Sequence, residues 1–156
     1  MIHIRLGEPK DYPAVLQQIK DLALFEKAPE QVTNTVEQME LESQHFTLFV
    51  AENEDKRVVG FAICFFAYYT WVGKSLYLDD LYIEPEYRGQ KIGKRLLNEV
   101  FKLAKKENCQ RLRWQVLDWN SDAIDVYNHI GAKLDGEWIN CDFDRNGIQN
   151  WKVSKD

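Results

Sequence analysis

Tyr87-Arg88-Gly89-Gln90-Lys91-Ile92-Gly93-Lys94-Arg95-Leu96-Leu97 is the most informative stretch of this 156-residue chain. It follows an apolar run at 76–83, whose β-branched and aromatic residues predict a strand. Glu84-Pro85-Glu86 ends that strand, because proline cannot continue a central ladder. The apolar residues that come next recur at helical spacing and predict one face of a helix reaching about Lys106: Ile92, Leu96, Val100 and Leu103.

A strand, a glycine-containing turn and a helix together predict a phosphate site. The first backbone N–H groups of a helix have no acceptor within it, and with the helix dipole they attract anions. Gly89 lets the backbone approach a ligand closely, and Arg88, Lys91 and Lys94 add positive charge. The turn therefore predicts a pyrophosphate site, with an ordinary turn before an amphipathic helix as the alternative.

Two common phosphate motifs are excluded by spacing. A nucleotide P-loop needs four residues between its glycines, whereas three separate Gly89 from Gly93. Arg95 also stands where that motif has a Ser or Thr for magnesium. The dinucleotide pattern G-x-G-x-x-G is absent from the turn.

Composition and charge narrow the function classes. The chain is 45% hydrophobic and 13% aromatic, which is typical of a globular protein, and its length predicts a single domain over residues 1–156. A net charge of −5 argues against a general nucleic-acid binder, whose surface is basic, and suits cationic substrates.

The cysteines and histidines predict neither a disulfide framework nor a metal site. The cysteines are odd in number and widely spaced, and the histidines lack metal-ligand spacing: Cys64, Cys109, Cys141, His3, His45 and His129. Reduced thiols indicate the cytoplasm. No apolar run is long enough to span a membrane, and the N-terminus does not resemble a signal peptide, so we expect a soluble protein that is not exported.

The remaining pattern predicts a mixed sheet with helices on both faces. Strands are expected at 2–6, 46–51, 58–69, 76–83, 111–117 and 138–143, with 46–51 and 58–69 forming an antiparallel hairpin. A first helix opens at Pro9, and a second follows the N-cap Thr35 with Met39 and Leu41 among its apolar positions. A short helix is expected after Asn120.

A second motif completes a family resemblance. The segment Trp119-Asn120-Ser121-Asp122-Ala123-Ile124-Asp125-Val126-Tyr127-Asn128-His129-Ile130-Gly131-Ala132 has an Asn before a helix, a Tyr near its end and a closing Gly-Ala. Upstream, Gln90-Lys91-Ile92-Gly93 resembles the acetyl-CoA signature of the GNAT N-acetyltransferase superfamily, departing from it at Arg95, where a small residue is usual. Nearly the whole chain resembles the diamine (spermidine/spermine-type) and thialysine acetyltransferases of that superfamily.

The resemblance implies a mostly antiparallel GNAT-like α/β fold, acetyl-CoA as cosubstrate, a small amine as the other substrate and a homodimer with 138–143 at its contact. It also implies how the chain would hold the cofactor. Leu81, Tyr82 and Ile83 would pair with the pantetheine arm. The turn residues Arg88, Gly89, Gln90, Lys91, Ile92, Gly93 and Lys94 would hold the pyrophosphate, and Asn120, Ser121, Ala123 and Tyr127 would line the other side.

The chemistry explains the catalytic candidates. An alkyl amine has a pKa near about 10.4 and must lose a proton before it can accept an acetyl group, so a carboxylate and water are needed. The family usually has Glu at the position of Asp79, and the shorter Asp would act through water. Tyr127 would give a proton to the departing sulfur, and a backbone N–H at Leu81 or Tyr82 would stabilise the oxyanion.

The acceptor side is predicted to be acidic. Glu26, Asp79 and Asp80 supply negative charge, with Trp71 as an apolar wall, while Tyr69 replaces an acid typical of the polyamine enzymes. Neighbouring strand residues face opposite sides, so Asp79 and Asp80 are expected to diverge unless a bulge turns one of them.

Other functions remain open. The same chemistry on a peptide α-amine or an aminoglycoside is one alternative, and a non-catalytic CoA-binding or interaction module is another. Each candidate residue also has a purely structural interpretation. Tyr127 would then pack its helix, and one of the two aspartates would be a solvated residue at the sheet edge.

Overall fold

The computed structural model describes residues 1–153. The chain forms two compact units, Met1–Gln115 and Val116–Asp156. The first unit contains β1 (His3–Leu6), α1 (Tyr12–Phe25), α2 (Val36–Leu41), β2 (Thr47–Glu52), β3 (Val58–Tyr69), β4 (Gly73–Ile83), α3 (Ile92–Lys106) and β5 (Arg111–Arg113). The second contains α4 (Ser121–His129) and α5 (Arg145–Asn150). That the two units work as a single domain stays a prediction.

The five strands of the first unit form one sheet in the order β1-β2-β3-β4-β5. The first three pairings are antiparallel, and β4 and β5 run parallel, joined by α3. The predicted mixed, mostly antiparallel sheet and the 58–69 strand are therefore confirmed.

Helices cover both faces of this sheet because strand residues alternate between two apolar clusters. On one face, α1 and α2 pack over β2, β3 and β4 through Tyr12, Val15, Leu16, Met39, Leu48, Val50, Val58, Phe61 and Tyr82. On the other, α3 buries the predicted stripe against the sheet, with Ile92, Leu96 and Val100 each at most 2% exposed. We call these the α1 face and the α3 face.

A buried ion cluster ties the start of α1 to the sheet edge. Arg5 of β1 donates to both carboxylate oxygens of Asp11, at 2.7 and 2.9 Å, and also to Glu52 of β2. Burial raises the pKa of Asp11, but the hydrogen bonds from Arg5 and from the Glu8 N–H outweigh it, and the pKa falls below its usual value. The cluster fixes where α1 begins.

A β-bulge interrupts β4 at its centre. Asp80 lies opposite Ile63 of β3 and Leu78 lies opposite Cys64, which leaves Asp79 as an extra residue without a partner on β3. A bulge bends its strand and disrupts the ladder locally. The pairing between β4 and β5 ends at Tyr77 opposite Arg113, two residues before the bulge.

Two strands expected from the sequence are wrong. The strand expected at 111–117 ends at Arg113, where its pairing with β4 ends. The tail strand expected at 138–143 does not form, because these residues pair with no strand in the described chain and instead precede α5, whose N-cap Asp144 accepts from the Gly147 N–H at 2.7 Å. Thr35 caps α2 as predicted, and of the two apolar positions named for this helix Met39 is buried and Leu41 is 79% exposed.

Within residues 1–153, no helix is both long enough and apolar enough to cross a membrane. The same residues contain no group of three or more His, Cys, Asp or Glu side chains that could hold a metal ion.

Candidate functional site

The turn before α3 presents backbone N–H groups that the fold does not use. In the described part of the chain, the N–H groups of Gly89, Gln90 and Lys91 have no acceptor. The N–H groups of Ile92, Gly93 and Lys94 come before the first backbone hydrogen bond of α3, which Arg95 N–H donates to the Lys91 carbonyl at 3.1 Å. No described side chain caps this end of the helix. A run of such donors at a helix start is an anion site.

The backbone shape of this turn depends on left-handed residues. Gly89 has φ +77° and Lys91, the N-cap of α3, has φ 61°. A Cβ built at Gly89 would meet no atom within 4 Å, so its space is open on the side of the turn. A groove of about 370 Å³ lies here, lined by Ile83, Tyr87, Arg88, Gly89, Lys91, Ile92 and Gly93.

The Arg88 side chain is partly committed to the protein itself. Its Nε donates to the Ile83 carbonyl at 3.0 Å, and its guanidinium lies 5.7 Å from the centre of the Tyr82 ring. These contacts connect the turn to the end of β4. The guanidinium also adds positive charge near the N–H groups of the turn.

Among the described residues, no strand pairs with the second edge of β4 beyond Tyr77. β3 pairs with one edge of β4 along its length, whereas β5 pairs with the other edge only over Ser75–Tyr77. The segment Leu81–Ile83, predicted to hold the pantetheine arm, is part of this open edge. An open edge offers backbone donors and acceptors to an extended ligand.

The bulge brings the predicted acidic residues together. Leu78 and Leu81 both pack into the cluster of the α3 face, so Asp79 and Asp80, the residues between them, both lie on the α1 face. Glu26, directly after α1, lies close enough that its charge raises the pKa of Asp80. The two aspartates therefore do not diverge, because a bulge turns one of them, which was the exception allowed from the sequence.

The pKa values of all three carboxyl groups of this acidic cluster (Glu26, Asp79 and Asp80) are raised, with burial as the largest cause of each. Burial, followed by the charges of Asp79 and Glu26, raises the pKa of Asp80 to about 7. Burial raises the pKa of Asp79 as well, although water still reaches its side chain. Burial and then the charge of Asp79 raise the pKa of Glu26. A half-buried acid that titrates near neutral pH is suited to proton transfer.

The other predicted substrate residue, Trp71, lies in the turn between β3 and β4 and is 81% exposed. Such a ring offers an apolar surface to a ligand, as the sequence analysis expected for this position.

The second motif is placed within the second unit. Asn120 is the N-cap of α4, and its side-chain oxygen accepts from the Ala123 N–H at 3.3 Å. Ser121, Ala123 and Tyr127 are on the same helix, with Tyr127 half-buried. The motif therefore forms a capped helix start of the predicted kind.

Two features of the α1 face were not assigned from the sequence. Asp80 was given a substrate role only, whereas burial and the charges of Asp79 and Glu26 raise its pKa to about 7. Arg111 and Arg113 were given no role, and their guanidiniums both lie against the Tyr69 ring. Their spacing of two in a strand was a signal that both share one face.

Comparison with known proteins identifies the family. Residues 14–132 match the model of the acetyltransferase (GNAT) family. The chain belongs to the GNAT acetyltransferase family. It is therefore an N-acetyltransferase, and enzymes of this family use acetyl-CoA as the acetyl donor.

Three similar proteins illustrate the match. The chain is 36% identical over 141 residues to the thialysine N-epsilon-acetyltransferase of Sus scrofa, covering 83% of each protein. It is 33% identical over 146 residues to the human spermidine/spermine N(1)-acetyltransferase-like protein 1, covering 83% of this chain and 20% of that protein. The structure of AAC(6')-Iy with a CoA bisubstrate analogue shares the fold, with a TM-score of 0.73, 14% identity and coverage of 92% of this chain and 99% of that one.

Proposed function

We propose that this enzyme transfers the acetyl group of acetyl-CoA to the primary amine of a small cationic acceptor, either a lysine-like amino acid such as thialysine or a short diamine. The observation that carries the proposal is the acidic cluster of Glu26, Asp79 and Asp80 on the α1 face of β4. Negative groups at the bulge attract an ammonium and can remove its proton. The names of the relatives, a thialysine and a spermidine/spermine-type acetyltransferase, support the same acceptor class.

The residues around the turn suit the cofactor. Bound acetyl-CoA supplies an activated acetyl group as a thioester. We propose that the backbone N–H groups from Gly89 to Lys94 bind its pyrophosphate, with charge from Arg88, Lys91 and Lys94. The open edge at Leu81–Ile83 would hold the pantetheine arm. Asn120, Ser121, Ala123 and Tyr127 are proposed on the family resemblance to line its other side.

Asp80 is the proposed proton acceptor, with Asp79 assisting through water. The acceptor amine has a pKa near about 10.4 and is mostly protonated at pH 7. A carboxylate with a pKa of about 7 is a stronger base than an ordinary aspartate, and at neutral pH a large fraction of it is ionised. Asp79, which stays open to water, can relay the proton and keeps the local potential negative.

Tyr127 and the β4 backbone are proposed to act at the acetyl group. The Tyr127 Oη would give its proton to the departing sulfur, because a thiol has a pKa of about 8.5 and leaves more readily when protonated. A backbone N–H at Leu81 or Tyr82 would donate to the carbonyl oxygen as charge builds on it.

The acceptor is expected to be short. Trp71 provides an apolar surface for a methylene chain. By the family resemblance, Tyr69 stands where the polyamine enzymes have a further acid that would bind a distal ammonium. A contact of that kind is worth about 1.5–3 kcal/mol, so its loss removes about tenfold or more in affinity for a longer polycation. Spermine is therefore expected to be no better than thialysine or a short diamine.

The decisive experiment measures thiol release from acetyl-CoA by the purified protein with a panel of amines. The panel contains thialysine, L-lysine, short diamines, spermine, a peptide with a free α-amine and an aminoglycoside. A kcat/KM for thialysine or a short diamine at least equal to that for spermine supports the proposal. A strong preference for spermine, activity on the peptide or aminoglycoside alone, or no activity with any amine contradicts it.

We also propose that the enzyme is a cytoplasmic homodimer that binds neither nucleic acid nor membranes. A dimer contact through a strand at 138–143 is no longer part of this proposal, because those residues form no strand. Light scattering at micromolar concentration tests the dimer, and a monomer there contradicts it.

A further inference from the structure

Two arginines occupy the α1 face at the β5 edge of the sheet. Arg111 and Arg113 of β5 lie in register with Ser75 and Tyr77 of β4, so their side chains share one face of the sheet. Their guanidinium carbons lie 5.3 and 5.0 Å from the centre of the Tyr69 ring. The aromatic ring holds both cations together, although like charges repel. We call Arg111 and Arg113 the arginine pair.

Among the described residues, the arginine pair has no counter-ion. Within residues 1–153, no carboxylate lies within ion-pair distance of either guanidinium. Both side chains are half-buried, so their charges are less screened than those of fully exposed residues. Two half-buried guanidiniums at one place, each with N–H groups to donate, are suited to a carboxylate.

Tyr77 interacts electrostatically with residues of both the arginine pair and the acidic cluster. Its ring stacks on Phe65 with the ring centres 5.1 Å apart, which fixes its position on the α1 face. Burial, followed by the charge of Asp79, raises the pKa of Tyr77, while Arg113 acts in the opposite direction. One tyrosine therefore experiences charges from both groups.

The strand register separates the two charged groups along one face of the sheet. Arg113 is in register with Tyr77, and Asp79 is two residues beyond Tyr77, so the backbone positions of Arg113 and Asp79 differ by about 7 Å along the strand direction and by about one strand spacing across it. The extended side chain of lysine spans about 6 to 8 Å from its terminal nitrogen to its carboxylate carbon, from ordinary bond lengths. An acceptor lying along β4 can thus place an ammonium at the acidic cluster and a carboxylate at the arginine pair.

We propose that the acceptor is an α-amino acid whose carboxylate is bound by Arg113 and Arg111, while its side-chain amine is held at Asp79 and Asp80. This inference rests on the proposed function and chooses among the acceptors that it allows. A diamine of the same length would bring a second ammonium to the arginine pair, where it is repelled. The arginine pair thus selects lysine-like amino acids against diamines and polyamines.

The test compares acceptors that differ only in the carboxylate. L-lysine is paired with 1,5-diaminopentane, and thialysine with its decarboxylated analogue. Steady-state kinetics are measured for the wild type, Arg113→Gln, Arg111→Gln and the double variant. Lys105→Gln on α3 is the control, because it removes one exposed positive charge at a distance from the α1 face.

We expect wild-type kcat/KM to be at least about tenfold higher for each amino acid than for its diamine partner. In Arg113→Gln the amino-acid value should fall about 10- to 100-fold, mainly through KM, while the diamine value stays or rises. Arg111→Gln should have a smaller effect of the same kind, and Lys105→Gln should change neither.

Several results would overturn the inference. Wild-type enzyme that prefers the diamines contradicts it, even if every arginine variant fails to fold. An equal loss with both members of a pair, or a raised KM for acetyl-CoA alone, would assign the arginine pair to the scaffold or to the cofactor. If no amine is acetylated, it is the proposed function that fails; if only diamines are acetylated, that function stands and this inference falls.

Discussion

Asp79 and Asp80 are neighbours in a strand, yet both lie on the α1 face of the sheet. The cause is the bulge, which sets Asp80 opposite Ile63 and Leu78 opposite Cys64 and leaves Asp79 as an extra residue. A regular strand would turn one of the two aspartates towards α3. Burial raises the pKa of all three carboxyl groups, and the neighbouring charges raise those of Asp80 and Glu26 further.

Asp80→Asn should lower kcat/KM at pH 7 by about 10²–10⁴, the usual contribution of a positioned base. In the wild type, kcat/KM should rise with pH through about 7 as Asp80 ionises. In the variant this rise near pH 7 should be absent, and kcat/KM should recover only as the pH approaches the pKa of the amine. A pH–rate profile measures both. Asp55→Asn, in the exposed turn after β2, is the control and should behave as wild type. A surviving limb near pH 7 in the Asp80 variant would assign it to another group.

The same substitution should make the protein more stable at neutral and alkaline pH. The pKa of Asp80 is raised from 3.8 to about 7 on folding, so between these values the folded protein holds a proton that the unfolded chain has lost. The free energy of unfolding therefore decreases as the pH rises through this window. Asp80→Asn removes that penalty, which we put at roughly 1–3 kcal/mol after solvent screening. Thermal unfolding between pH 5 and 8 should show that the stability of the variant, relative to that of the wild type, increases with pH. A constant difference would contradict the linkage.

Asp79→Asn should separate the roles of the two aspartates. Losing the charge of Asp79 makes Asp80 easier to ionise, so the acid limb of kcat/KM should move to lower pH. The rate at neutral pH should still fall, because Asp79 assists deprotonation, and raising the pH should rescue much of the loss. A pH–rate profile with thialysine measures the shift. A limb that stays in place would mean that the two charges do not interact.

Substitutions at the turn glycines should weaken cofactor binding without unfolding the protein. Gly89→Ala and Gly73→Ala both place a Cβ at positive φ with nothing closer than 3.8 Å, so both should lose about 1 kcal/mol of stability or less. Gly89→Ala alone should weaken CoA binding, measured by calorimetry, and Gly89→Val should weaken it further. Gly93→Ala is the complementary case, because a residue inside α3 gains helix propensity while its Cβ crowds the groove. Unchanged CoA affinity in both Gly89 and Gly93 variants would rule out the pyrophosphate site.

Tyr127→Phe should leave the fold intact and lower kcat by about 10²–10⁴. The KM for acetyl-CoA should change little, because only a hydroxyl group is removed from a half-buried ring. Tyr68→Phe is the matched control, since the Tyr68 side chain is 78% exposed on β3. Full turnover in Tyr127→Phe, under conditions where chemistry limits the rate, would exclude it as the proton donor.

The sequence by itself determined the elements whose signals are local. The stripe Ile92, Leu96 and Val100 specified α3 because helical spacing puts these residues on one side, and Thr35 specified the start of α2 through its own side chain. The turn from Gly89 to Lys94 was readable for the same reason, since its chemistry depends on consecutive backbone groups. The tail strand at 138–143 was not, because a strand depends on a partner elsewhere in the chain.

Only the tertiary structure decided how the charges on the α1 face are arranged. The side of the sheet on which Asp79 lies follows from its register with β3, and the pKa of Asp80 from burial and from Glu26 at the end of another element. The arginine pair likewise meets Tyr69 only because β5 is parallel to β4 and β3 antiparallel to it. These relationships join residues far apart in sequence, and electrostatic interactions depend on distance in space and on exclusion of water, so no local pattern could reveal them.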